Sequence, residues 1–175
     1  MNSKSLSDNS SSSAIFPGSF DPMTNGHFDI IERSLTLFDT LTIAILENSQ
    51  KVPLFSVAER IALIEAECRR FNEKRVRVQV RSFSGLLVDF AKHEQCHIVV
   101  RGLRAISDYD YEAQMALMNK SLYRDLETVF LIAREENSYI SSSIVKQVAL
   151  LRGDITKFVP PGIKAAILQK LSQGA

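Results

Sequence analysis

Five short apolar runs, at 14–16, 41–46, 76–80, 97–100 and 128–132, alternate with stretches whose apolar residues recur at helical spacing, at 25–38, 57–71, 86–94, 109–122 and 142–152. No other feature of the chain restricts its fold as much. A strand followed by a helix, five times over, calls for parallel strands joined by right-handed crossovers, since antiparallel neighbours need only a tight turn. The expected architecture is α/β, a Rossmann-like doubly wound five-stranded parallel sheet with helices on both faces. Ser56 and Glu59 make a capping box for the second helix, and Gly153 stands where the fifth would stop. Pro160-Pro161-Gly162 then introduces a terminal helix over 163–171. A single domain over 14–175 accounts for all of this, with the Ser-rich segment 1–13 read as a disordered tail outside the fold.

Bulk properties narrow the function classes. At 175 residues one domain buries roughly 70% of its unfolded surface, enough for a real core. The formal net charge of +1 gives no broad basic field for nucleic acid or an anionic membrane, so any positive site must be local. No run approaches the ~18 apolar residues of a membrane span, and no signal peptide opens the chain, so a cytoplasmic protein is expected. Cys68 and Cys96 are too few for a disulfide framework or a metal motif, and read as buried packing thiols.

In doubly wound folds ligands sit beyond the carboxyl ends of the strands, which puts three segments under scrutiny. The first is the loop Pro17-Gly18-Ser19-Phe20-Asp21-Pro22-Met23-Thr24-Asn25-Gly26-His27, running straight into a helix. A helix amino terminus offers free N–H groups and partial positive charge to a phosphate, and His27 in the first turn can reach the same anion. The loop is neither GxxxxGK[ST] nor GxGxxG. Its plainer reading is that Thr24 or Asn25 caps the helix and His27 is an ordinary polar residue. The second segment, Arg101-Gly102-Leu103-Arg104 with Asp108, Tyr111 and Glu112 following, sets two guanidiniums around a glycine, suited to phosphate or to a surface ion pair. The third, Ser138-Tyr139-Ile140-Ser141-Ser142-Ser143, opens another helix with hydroxyls, which also serve as caps. His93 and His97 lack partner motifs and read as structural or surface residues.

Taken in order, FPGSFDPMTNGH, KVPLF, RGLRAISDYDYE and SYISSSIVK resemble bacterial phosphopantetheine adenylyltransferase, within the nucleotidyltransferase superfamily marked by an [HT]xGH motif. The similarity spans 14–171. It implies transfer of the adenylyl group of ATP to 4′-phosphopantetheine, giving dephospho-coenzyme A and pyrophosphate, with Mg²⁺. It further implies ATP contacts from Ser19, Phe20, His27, Gly102, Leu103, Arg104, Glu112, Asn137, Ser138, Tyr139, Ile140, Ser141, Ser142 and Ser143. Acceptor contacts would come from Ser19, Lys51, Leu87 and Arg101, with His27, Lys51 and Arg101 at the chemistry. A homohexamer and feedback inhibition by coenzyme A are implied as well. Departures are Ser19 for a usual Thr, Asn137 for a usual aromatic and Gly85 for a usual Asp.

The residues support a mechanism without a general base. A phosphate monoester has a second pKa of about 6, so it is already a nucleophilic dianion near neutrality. The barrier is electrostatic, which fits direct in-line attack with donors and cations gathered at the α-phosphate. Phe83, Leu86, Leu87, Met115, Met118 and Asn119 are candidates for a groove around the pantetheine arm, although for Met115 and Met118 core packing is the favoured reading. Two rivals remain at this level: a sister enzyme adenylylating nicotinate mononucleotide or cytidylylating a polyol phosphate, and a module that binds ATP without turnover.

Overall fold

A computed structural model describes residues 12–47, 52–72 and 77–173 of the chain. Five strands, β1 (Ser13–Gly18), β2 (Thr40–Leu46), β3 (Arg77–Phe83), β4 (Ile98–Leu103) and β5 (Glu127–Ile132), form one sheet in the order β3-β2-β1-β4-β5, and all four pairings are parallel. The helices are α1 (Asn25–Ser34), α2 (Val57–Asn72), α3 (Leu87–His93), α4 (Ile106–Leu122), α5 (Ser142–Leu150) and α6 (Pro161–Gln173). The expected fold class is therefore the observed one. Side chains alternate across the strands, Ala14 and Phe16 with Leu41, Ile43 and Ile45 entering one core, Ile15 with Ala44 and Val99 the other. Both sheet faces are covered, which is why the strands read as unbroken apolar runs.

The boundaries differ where side chains intervene. α1 stops at Ser34, because the hydroxyls of Ser34 and Thr36 turn back onto the carbonyls of Ile30 and Arg33. α4 begins at Ile106, three residues before the expected start, with the Asp108 carboxylate accepting the Arg104 N–H at 3.1 Å. Ile106 is 92% exposed, so the apolar stripe that betrays the helix starts only later. α5 ends in a Schellman pair, Gly153 N–H to Val148 O and Arg152 N–H to Ala149 O. Arg152, at φ 60°, takes the left-handed position rather than Gly153. Gly153 is needed for approach, since a Cβ there would meet Val148 Cγ1 at 2.7 Å. The tail expected over 1–13 loses its last two residues to the fold: Ser13 starts β1, and the Ser12 N–H donates to Asp39 at 2.8 Å. Residues 1–11 lie outside the described ones.

β1 and β2 share six register pairs, but β1 and β4 only one, Ile15 with Val99. Strand order reverses between these two strands, and they part toward their carboxyl ends, which opens a crevice there. Cys68 and Cys96 are buried and in no disulfide, one in each core. Among the described residues no helix is long and apolar enough to cross a membrane.

Candidate active site

Two cavities occupy the crevice. A polar cleft of about 660 Å³ is bordered by the end of β1, the first turn of α1, the end of β4 and the start of α5. An apolar groove of about 380 Å³ lies beside it, bordered by Leu46, Phe83, Leu86, Leu87, Met115 and Asn119 among others. Ser19, Arg101, Tyr111 and Glu112 border both.

His27 faces the cleft, and its position comes from a capping box. Thr24 Oγ1 accepts the His27 N–H at 3.4 Å, and His27 Nδ1 accepts the Thr24 N–H at 3.1 Å. The plain reading of the loop and the functional one thus hold together: the same imidazole closes the helix end and borders the cleft. Because Nδ1 is an acceptor, a neutral ring carries its proton on Nε2. Burial, then the charges of Arg104 and Arg101, lowers the imidazole from 6.5 to about 4. The free protein therefore presents a neutral N–H donor at this point, not a cation.

That shift has a consequence for stability. An unfolded chain takes up the proton near pH 6.5 and the folded one only near 4, so between these values the unfolded state binds more protons. Stability is complete above the upper value and falls as pH falls through the window, by roughly 3 kcal/mol for a shift of this size. Urea unfolding near pH 7 and near pH 4.5 should show wild type losing more stability than His27→Gln. Equal acid losses in the two would refute the assignment.

Arg101 lies on the wall between the cavities, and three of its N–H groups are engaged. Nε and Nη2 grip Glu112 at 2.7 and 2.5 Å, and Nη1 donates to the Pro17 carbonyl at 2.7 Å. Arg104 borders the cleft with Nε 3.1 Å from Asp108, the acid in the first turn of α4. Burial would raise the Asp108 carboxyl, but its bonds to Arg104 hold it below the ordinary range. Gly102 permits close packing, a Cβ there falling 3.0 Å from Ile30 Cγ1.

Of the residues singled out for ATP, the cleft gathers Ser19, His27, Gly102, Arg104, Glu112, Ile140, Ser141, Ser142 and Ser143. Phe20, Leu103, Asn137, Ser138 and Tyr139 do not border it. The Phe20 ring is buried, 5.0 Å from the imidazole centroid, and supports His27 from beneath. Asn137 is buried with its carbonyl accepting the Ile140 N–H, so it offers no face to a base. The Tyr139 ring sits edge-on to Phe158. Ser141 is the N-cap of α5, and Ser142 Oγ donates to the Pro22 carbonyl at 2.7 Å. For the acceptor, Ser19, Leu87 and Arg101 border the groove, whereas Lys51 lies outside the described residues. Phe83, Leu86, Met115 and Asn119 also border it; Met118 is 59% exposed elsewhere on α4. Gly85 has φ 84°, a conformation that suits glycine better than the usual Asp.

Sequence reasoning missed the residues that hold the first loop in place. Asp21, 6% exposed, accepts the N–H groups of Leu54 and Phe55 at 3.0 and 2.9 Å and pairs with Lys146 of α5 at 2.9 Å. Asn in its place has a single acceptor oxygen and would set its NH₂ against one of those N–H groups. Asp21→Asn should therefore lower unfolding stability by about 2 to 4 kcal/mol, read from urea midpoints. Arg60 of α2, also buried, donates to the Ser19 carbonyl at 2.7 Å. An arginine at a core-facing helical position is a signal the sequence does carry.

With this geometry established, the comparisons with known proteins are decisive. The sequence model of the cytidylyltransferase-like family matches residues 15–148. A phosphopantetheine adenylyltransferase of Thermotoga neapolitana is 52% identical over 92% of this chain and 98% of its own length. The chain belongs to the phosphopantetheine adenylyltransferase family. A second member of the family, from Alkaliphilus metalliredigens, is 45% identical over 89% of this chain and 97% of its own length. Among solved structures, a protein described provisionally as a nicotinate-nucleotide adenylyltransferase of Vibrio parahaemolyticus superposes with a TM-score of 0.65, over 93% of this chain and 96% of that one. At 16% identity that likeness speaks for the fold alone, so the adenylyltransferase of nicotinate mononucleotide gains nothing from it.

Proposed function

We propose that this chain transfers the adenylyl group of ATP to 4′-phosphopantetheine, producing dephospho-coenzyme A and pyrophosphate. One observation carries the reading: a polar cleft and an apolar groove meet at a shared wall of Ser19, Arg101 and Glu112. A nucleoside triphosphate suits the first, with the amino termini of α1 and α5, His27 and Arg104 around it. A neutral, partly apolar arm suits the second. The acceptor phosphate then falls at Arg101, next to the α-phosphate. Attack is direct and in line, with no covalent enzyme intermediate, since the phosphate dianion needs no proton acceptor.

His27 Nε2–H donates to the oxygen on which charge builds, joined by Lys51, while Arg104 takes a flanking phosphate. Magnesium bound with ATP would supply neutralisation of phosphate charge. Asp108 and Glu112 are engaged by Arg104 and Arg101, and Mg²⁺ commonly relies on substrate phosphates and water rather than on a carboxylate cage. A cytoplasmic homohexamer inhibited by coenzyme A completes the reading. The exposed apolar side chains of α4, Leu117 and Met118 among them, offer surface for self-association, and coenzyme A shares the pantetheine arm.

The test is an acceptor screen. Protein, ATP and magnesium are mixed in turn with 4′-phosphopantetheine, nicotinate mononucleotide and glycerol phosphate, and pyrophosphate is measured. Release with the first alone is expected. Release with another acceptor, or ATP binding without release in any mixture, would overturn the reading.

A further inference from the structure

The buried stripe of α2 contains a charge. Arg60, Ile64, Cys68 and Phe71 follow one another at helical spacing and are 5%, 1%, 1% and 8% exposed. A buried guanidinium is costly unless an acid and further hydrogen bonds answer it. Here Nη1 meets the Ser19 carbonyl at 2.7 Å, and Nε is buried without a partner. Among the described residues no carboxylate forms an ion pair with it. Asp21, the buried acid two residues along from Ser19, is already shared by Lys146 and two main-chain N–H groups.

The bond to Ser19 also has a direction. A planar trans peptide points its N–H opposite to its C=O, so holding the Ser19 carbonyl toward α2 turns the Phe20 N–H away from it. Phe20 is a non-glycine residue at φ 48°, a conformation that needs support from its surroundings. Arg60 supplies that support while bordering neither cavity, and Ser19 borders both.

We propose that Arg60 is a positioning residue for polyphosphate: its buried charge has no carboxylate partner among the described residues and finds its counter-charge in the phosphates of bound nucleotide, reached through the loop it holds. This rests on the reading of the cleft as a nucleotide site. A residue kept for its charge has a signature that a purely structural arginine lacks, because polyphosphate affinity then follows the charge rather than the stability of the free fold.

Three proteins are compared: wild type, R60M, which keeps the apolar stem, and R60K, which keeps the charge. Thermal unfolding of the free proteins and calorimetric titration with inorganic pyrophosphate and magnesium are the readouts. R60M, which leaves the Ser19 carbonyl without its donor, should melt somewhat lower than wild type and, at a temperature where it is fully folded, bind pyrophosphate about tenfold more weakly, while R60K should bind within about threefold of wild type. Pyrophosphate affinity in R60M close to that of wild type would overturn the proposal. A loss in R60K as large as that in R60M would also overturn it, whatever the stability of R60M. Failure of wild type itself to bind pyrophosphate would remove the nucleotide reading and this inference together.

Discussion

Replacing His27 by glutamine should lower turnover by roughly 10² to 10³ while leaving the fold almost as stable as before. Glutamine at the third position of a helix can reach back to the N-cap N–H, as His27 Nδ1 now does to Thr24, so the capping box survives. What disappears is the Nε2–H donor facing the cleft. Alanine removes both, and His27→Ala should carry the same kinetic loss plus about 1 kcal/mol of stability. The KM for ATP should move little in either variant, because a donor aimed at charge that develops during reaction acts on the transition state. Steady-state kinetics beside urea unfolding separates the two effects. Near-normal turnover in the glutamine variant would remove His27 from the chemistry.

Arg101→Ala should raise the KM for 4′-phosphopantetheine by roughly 10², well above any change for ATP. Two losses combine in it. The acceptor phosphate loses a charge-assisted donor, and Glu112, whose side chain is 13% exposed, is left as an unpaired anion on the wall that phosphate must approach. The second loss can be isolated. Adding Glu112→Gln to Arg101→Ala should recover part of the acceptor affinity, a non-additivity that a double-mutant cycle measures directly. If the KM for ATP rises more than that for the acceptor, the two phosphates have been assigned to the wrong sides of Arg101.

Both residues were legible in the sequence, though not in the arrangement they adopt. The loop after β1 and the arginines after β4 stood out because glycine, a capping Thr and a His in the first helical turn follow local rules. The Ser56–Glu59 box is equally local and is present, with the Ser56 N–H donating to Glu59 at 2.7 Å. Asn137 and Tyr139 mark the opposite case. Membership of a serine-rich signature implied contact with ATP, but it did not show that Asn137 is buried beside the 3₁₀ turn at Glu135–Asn137, or that the Tyr139 ring lies edge-on to Phe158 while 61% exposed.

Asp21 was missed for a different reason. Next to Pro22 in a loop, an aspartate reads as a turn residue, and nothing within several positions shows that it is buried. Its partner Lys146 is 125 residues away.

The sequence by itself determined the alternation of strand and helix, the burial of both sheet faces and the helix ends that border the cleft, since each follows from periodicity or capping within a few residues. Only the tertiary structure decided that β1 and β4 part beside one another, that Arg101 closes on Glu112, that His27 is neutral and that Arg60 is buried without an acid. Charge pairing and desolvation depend on distance and dielectric through space, and neither quantity exists until the chain has folded.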